Sequence, residues 1–198
     1  MKKNITDYLV ILAVTCSACN DTAPVAALAP VKKEIEVVVS DSTKVQINIT
    51  GFLRWYKDNY KKANSFPLLI KDKADNFMVN KTAYTDYLAF LNSSNYLSPK
   101  YIGYWETFFI DKEKELNKNK IKSDIPDGFD FDLVLITQEP DILLNKIDSI
   151  KFNITSMNDS VALVGMRLPS DSSIEYEFEM YKTKNTWQIG YISTPNYD

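Results

Sequence analysis

Four strand-like runs crowd the stretch from Asp148 to Thr194: KIDSIKFNITS, SVALVGMRL, SIEYEFEMY and TWQIGYIS, parted only by MND, PSDS and KTKN. Breaks this short suit strands that turn straight back on themselves, so the pattern predicts a meandering antiparallel sheet. In the third run Ile174, Tyr176, Phe178 and Met180 fall on one face and Glu175, Glu177, Glu179 and Tyr181 on the other. Side chains alternate along a strand, so one face is buried and the other wet. Trp187, Ile189 and Tyr191 alternate in the same way with Gln188 and Gly190, and Ile150, Phe152 and Ile154 with Lys151, Asn153 and Thr155. Val161 to Leu168 is apolar except at Gly165 and Arg167, the pattern of a central strand covered on both faces. A sheet with one dry face needs a second layer, which the first half of the chain must supply as helices.

That half reads as helical. Asp41 or Ser42 is placed to cap a helix from about Thr43 to Ala63, on which Val45, Ile49, Phe52, Leu53, Tyr56 and Tyr60 form one apolar stripe. A second helix is expected from Lys81 or Thr82 to Ser93, with Tyr84, Tyr87, Leu88 and Leu91 on one side. Ser98-Pro99 is a cap followed by proline at the first helical position, opening a third helix with Tyr101, Ile102, Trp105, Phe108 and Phe109. Phe66 to Ile70 reads as a strand or a docked loop, Leu133 to Thr137 as a strand, and Gln138 to Asp141 as a turn or the start of a short helix.

The composition excludes several chemistries. With no histidine there is neither a Ser-His-Asp triad nor an imidazole metal site. Both cysteines, Cys16 and Cys19, lie near the N-terminus, so the body carries no thiol nucleophile. A formal charge of −3 without a basic stripe leaves no footprint for nucleic acid. Phosphate-cradling glycine loops are absent too, so no cofactor is expected. Asp124, Asp127, Asp130 and Asp132 cluster around Pro126 and Gly128, and such a group suggests calcium. The spacing fails the EF-hand loop, because the positions that should carry its first two ligands are Ser123 and Ile125, and Pro126-Asp127-Gly128 is a turn signal in its own right. No metal is expected there.

Near the N-terminus, Lys2 and Lys3 precede a short apolar stretch, Tyr8 to Val14, and then Cys16-Ser17-Ala18-Cys19. The stretch is too short to span a membrane and has the form of a secretory signal, with Asp7 as an irregularity. It resembles a bacterial lipoprotein leader: Ser17-Ala18-Cys19 matches the end of the lipobox, while Cys16 stands where leucine is usual. The resemblance implies that residues 1–18 are removed, that Cys19 carries acyl chains, and that the protein sits on a membrane surface in the cell envelope. Residues 19–41, with Pro24 and Pro30 among small residues, read as a flexible tether, although Ile35, Val37 and Val39 alternate as a short strand would. Residues 42–198 are then one domain.

Helices followed by a meander ending in TWQIGYIS are similar to the nuclear-transport-factor-2-like cone. Phe52-Leu53-Arg54-Trp55-Tyr56, Tyr96-Leu97-Ser98 and Asp132 through Gln138 resemble a bacterial lipoprotein group known as domain of unknown function 3828, over roughly Thr43 to Ser193. The resemblance implies an α+β fold in which N-terminal helices pack on a curved antiparallel meander of four to six strands, with a pocket between the layers. It brings no catalytic set. Three functions follow as expectations. The first is a non-catalytic binding domain for a small apolar or sugar ligand, its pocket lined by Trp55, Tyr56, Tyr104, Trp105 and Trp187, residue types that are more often plain core than pocket. A protein partner on the row Glu175, Glu177 and Glu179 belongs to the same class. The second is an isomerase or hydrolase pairing Asp130 or Asp132 with a tyrosine, with Gln138 close by. The third is a structural part of an envelope assembly.

Overall fold

The computed structural model describes residues 39–169 and 171–194, with backbone alone at 171–174. The leader, Cys19 and most of the tether lie outside these residues. The described chain is α+β: helices, a two-stranded sheet and a four-stranded antiparallel sheet.

Helix α1 spans Asp41–Ala63 and buries Val45, Ile49, Phe52, Leu53 and Tyr56, the stripe read from the sequence. Its cap is Ser40, one residue before the expected pair, whose hydroxyl accepts from the Thr43 amide. Asp41 lies instead in the first turn, where a carboxylate favours the positive end of the helix dipole, and its salt bridge to Lys182 holds its pKa below the ordinary value. Strands β1 (Leu69–Lys71) and β2 (Phe77–Val79) form a small hairpin. Its turn is organised by the Asp72 carboxylate, which accepts from the amides of Ala74 and Asn76 and from the Asn76 side chain. Helix α2 (Lys81–Asn92) is capped by Asn80, and α3 (Pro99–Asn119) by Ser98 with Pro99 in its first turn, as expected. A short helix, α4 (Pro140–Leu144), precedes the sheet.

Strands β3 (Lys151–Met157), β4 (Val161–Leu168), β5 (Asp171–Thr183) and β6 (Thr186–Ser193) lie in chain order, each antiparallel to its neighbours. The outer edge of β6 is closed by Tyr96-Leu97-Ser98, which exchanges hydrogen bonds with Ile189: the Ile189 amide donates to the Tyr96 carbonyl and the Ser98 amide to the Ile189 carbonyl. This covers backbone groups that would otherwise invite another strand. The dry face carries Ala162, Val164, Met166 and Leu168 from β4, Tyr176, Phe178 and Met180 from β5, and Trp187, Ile189 and Ile192 from β6.

Four local expectations are corrected. Leu133 to Thr137 is a tight loop, not a strand: Asp132 and Thr137 bridge its ends, and Leu133, Val134 and Leu135 turn inward as a buried plug. β4 is not covered on both sides, because Val161, Leu163 and Gly165 are only half-buried and Arg167 is exposed on a face that lacks a full second layer. Tyr191 does not share the core face with Trp187 and Ile189. A bulge at Gly190 sets Tyr191 opposite Glu179 on the open face and turns Ile192 inward. Glu175, Glu177 and Glu179 are half-buried, not a fully solvated row.

Candidate functional site

The only acidic side chain buried among the described residues is Asp132, 6% exposed. Its Oδ2 accepts the Tyr56 hydroxyl at 2.6 Å, and its Oδ1 accepts the amides of Val134 at 3.1 Å and Leu135 at 2.8 Å. The loop that it caps is further tied to the sheet by the Tyr176 hydroxyl, which donates to the Leu135 carbonyl. Burial raises the Asp132 pKa, against the opposing pull of Tyr56 and the two amides. Burial, followed by the charge of Asp132, pushes the Tyr56 hydroxyl well above its ordinary value. A phenol held this firmly as a donor is a poor proton shuttle, and a carboxylate with donors on both oxygens is a poor general base. The pair expected of an isomerase is therefore present in outline, but its hydrogen bonds serve the loop.

Asp130 and Gln138 are exposed and line a cleft of about 670 Å³ with Asp127, Thr137 and Glu139. Asp130 is thus in solvent and not part of the buried pair. Pro126 accepts from the Phe129 amide across a turn whose third residue, Gly128, has φ 88°, a left-handed geometry that glycine suits. Among the described residues no three acidic side chains converge where a metal ion would sit.

The five aromatic candidates do not gather around one cavity. Tyr56, Trp105 and Trp187 are buried, at 1%, 5% and 2% exposure. Trp55 packs between Phe52 and Phe90 on the outer side of α1. Tyr104 is 44% exposed and meets Tyr191 edge-on; burial and Tyr191 raise its pKa to about 12. Aromatic density in a sequence reports a core as readily as a pocket.

A different group of rings forms a cleft. Phe66 follows α1, Phe77 lies on β2, and Phe129 and Phe131 come from the acidic turn; together they rim a cavity of about 350 Å³ beside Asn64 and the 58%-exposed Ile125. Each of the four rings is half-buried. The sequence signal for this cleft was the run of Phe129 and Phe131 among aspartates, where solvation would favour polar side chains only. That signal is incomplete by itself, because the other rings of the cleft, Phe66 and Phe77, are far away in the chain.

No family model, no curated protein and no solved structure matches the chain.

Proposed function

We propose that this chain is a non-catalytic binding domain of the nuclear-transport-factor-2-like kind, held at a membrane surface outside the cytoplasm by acyl chains on Cys19, and that it takes a small apolar ligand. The observation that supports this reading is the cleft rimmed by Phe66, Phe77, Phe129 and Phe131. Its volume of about 350 Å³ falls within the range of about 300–1,000 Å³ common to small-molecule sites. Its lining side chains are mostly rings and aliphatic chains, with Asn64 and Tyr87 as the polar ones, so a largely apolar compound with one or two hydrogen-bonding groups fits better than a sugar, which needs many polar partners. The anchor is supported by the leader pattern ending at Cys19. Among the described residues no helix is long and apolar enough to cross a membrane.

The test of the ligand is a fluorescence titration of the full chain with N-phenyl-1-naphthylamine, an uncharged apolar probe. Leu69 also lines the cleft, and saturable binding that is lost when Leu69→Trp fills it is the expected result. Linear, unsaturable partitioning, or binding that Leu69→Trp leaves unchanged, overturns the site. The anchor is tested by the mass of the membrane-extracted protein: acyl mass on a peptide beginning at Cys19 is expected, and a mature chain without lipid refutes the address.

A further inference from the structure

On the open face of the sheet, side chains stand in rows across the strands. One row is Lys151, Arg167 and Glu175; the next is Asn153, Gly165, Glu177 and Ser193. Between these rows runs a groove of about 370 Å³. Arg167 pairs with Glu175, and in the following row Glu179 pairs with Lys100 of α3 at 3.1 Å. Two charges remain. Lys151 on β3 and Glu177 on β5 have no ion pair or hydrogen bond among the described residues, and they are opposite in sign. They do not neutralise each other because β4 lies between them. With strands about 4.8 Å apart and about 3.4 Å per residue, their backbones stand about 10 Å apart across the sheet and about 7 Å along it.

The floor between them is Gly165. Nothing in the fold demands glycine here. Gly165 is not among the residues with positive φ, and a Cβ at this position would meet only the Asn153 carbonyl, at 3.6 Å, an ordinary contact. Glycine in the middle of a strand costs about 0.5–1 kcal/mol relative to a residue with a side chain. Glycine inside a strand is found at bulges, at tight bends and where a ligand or another backbone approaches closely, and Gly165 is in register with both Asn153 and Glu177, so it is not at a bulge. A side chain at 165 would occupy the groove between Lys151 and Glu177.

We propose that this groove binds the zwitterion of a short unblocked peptide, its backbone lying over Gly165, its ammonium group on Glu177 and its carboxylate on Lys151. The length follows from the spacing. An extended chain spans about 3.3–3.6 Å per residue, so two or three residues separate the terminal charges by about 7–10 Å, which Lys151 and Glu177 reach by leaning inward. Asn153, in the glycine's row, supplies an amide that can both donate to and accept from a peptide bond. A free amino acid holds its charges too close together to reach both side chains. The site is separate from the apolar cleft and does not depend on it.

The experiment is a calorimetric titration of the full chain with Ala-Ala-Ala, its N-acetylated form, its C-amidated form and free alanine. The free tripeptide binds, and each blocked form and free alanine bind at least tenfold more weakly. In Glu177→Gln, acetylation ceases to matter while amidation still weakens binding; in Lys151→Met the reverse holds. Gly165→Val abolishes binding of the tripeptide and raises the melting temperature, because a β-branched residue suits the strand better than glycine. Equal binding of free and blocked peptides, or no binding by the folded chain, overturns the proposal. So does a Gly165→Val variant that is less stable than the parent, since glycine would then be a demand of the fold. Apolar-probe binding at the phenylalanine cleft stays unchanged in all three variants, so failure here is distinct from failure there.

Discussion

The Tyr56 hydroxyl on α1 donates to Asp132 Oδ2 at 2.6 Å, joining residues 76 positions apart in the chain. With the Val134 and Leu135 amides on the other oxygen, this bond completes the shell of a buried carboxylate. Tyr56→Phe keeps the ring and removes one donor, leaving a buried acceptor short. The expected cost is about 1–3 kcal/mol in urea unfolding. Tyr60→Phe, in the half-buried ring next to it, stays within about 0.5 kcal/mol of the parent. If Tyr56→Phe matched that control, the bond would play no part in holding the loop.

The same carboxylate gives a pH signature. Burial holds the Asp132 pKa above its ordinary value of 3.8, so the folded chain binds this proton more tightly than the unfolded chain does. Its contribution to stability is therefore fully present below 3.8 and declines as pH rises through the raised folded value. Asp41, Asp72 and Glu179 have lowered values and run the other way: their contributions are present above their ordinary values and are lost as pH falls through the folded ones. Asp132→Asn keeps an acceptor for the amides, puts a donor where Oδ2 accepts the Tyr56 hydroxyl, a cost that does not vary with pH, and removes the titration. The stability difference, parent minus Asp132→Asn, should fall as pH is stepped upward from 3.8 in denaturant titrations. A gap that is flat or widens with pH refutes the raised value.

A second long-range contact explains a glycine inside α1. A Cβ on Gly51 would stand 2.7 Å from Tyr96 Cε1, so the ring occupies the space of the missing side chain. Tyr96 belongs to the segment that closes the β6 edge, and the contact ties α1 to that closure. Gly51→Ala should destabilise the parent, although alanine is favoured over glycine by about 1 kcal/mol in a helix interior. In a Tyr96→Ala background the same change should stabilise by about that amount. A double-mutant cycle measures the reversal; effects of equal sign in both backgrounds exclude it.

What could be read from the chain was what is written locally. Tyr176, Phe178 and Met180 show their face because the period of a strand is two residues, and Ser98-Pro99 shows its helix because a cap and its first turn are adjacent. The features that escaped depend on distant partners. The bulge at Gly190 exists only relative to β5, where Tyr181 lies over it, and so simple alternation puts Tyr191 on the wrong face. The hairpin of β1 and β2 has three residues per strand, too few to show alternation. The cleft is lined by Phe66 and Phe77 together with Phe129 and Phe131, which are far apart in the chain. Trp55, Trp105 and Trp187 looked like a pocket because bulk and apolarity are the same signal in a pocket and a core.

Leu133 to Thr137 reads as a strand because four apolar residues stand in a row, and what bends it is Asp132 together with Ile136. Ile136 has φ 49°, in the left-handed region that a β-branched residue rarely enters, and its amide donates to the Asp132 carbonyl at 2.7 Å. Holding an L-residue there costs about 1–2 kcal/mol. Ile136→Gly relieves that cost while giving up a half-buried side chain and some rigidity of the unfolded chain, so the two effects nearly cancel. Its stability should stay within about 1 kcal/mol of the parent, a small change for the loss of a whole isoleucine side chain. Leu135→Ala, one residue earlier and fully buried, removes less but should cost about 2–5 kcal/mol, because its cavity opens in the core. If the ranking in urea unfolding were reversed, the loop would be held by Ile136 packing and not by the Asp132 carboxylate.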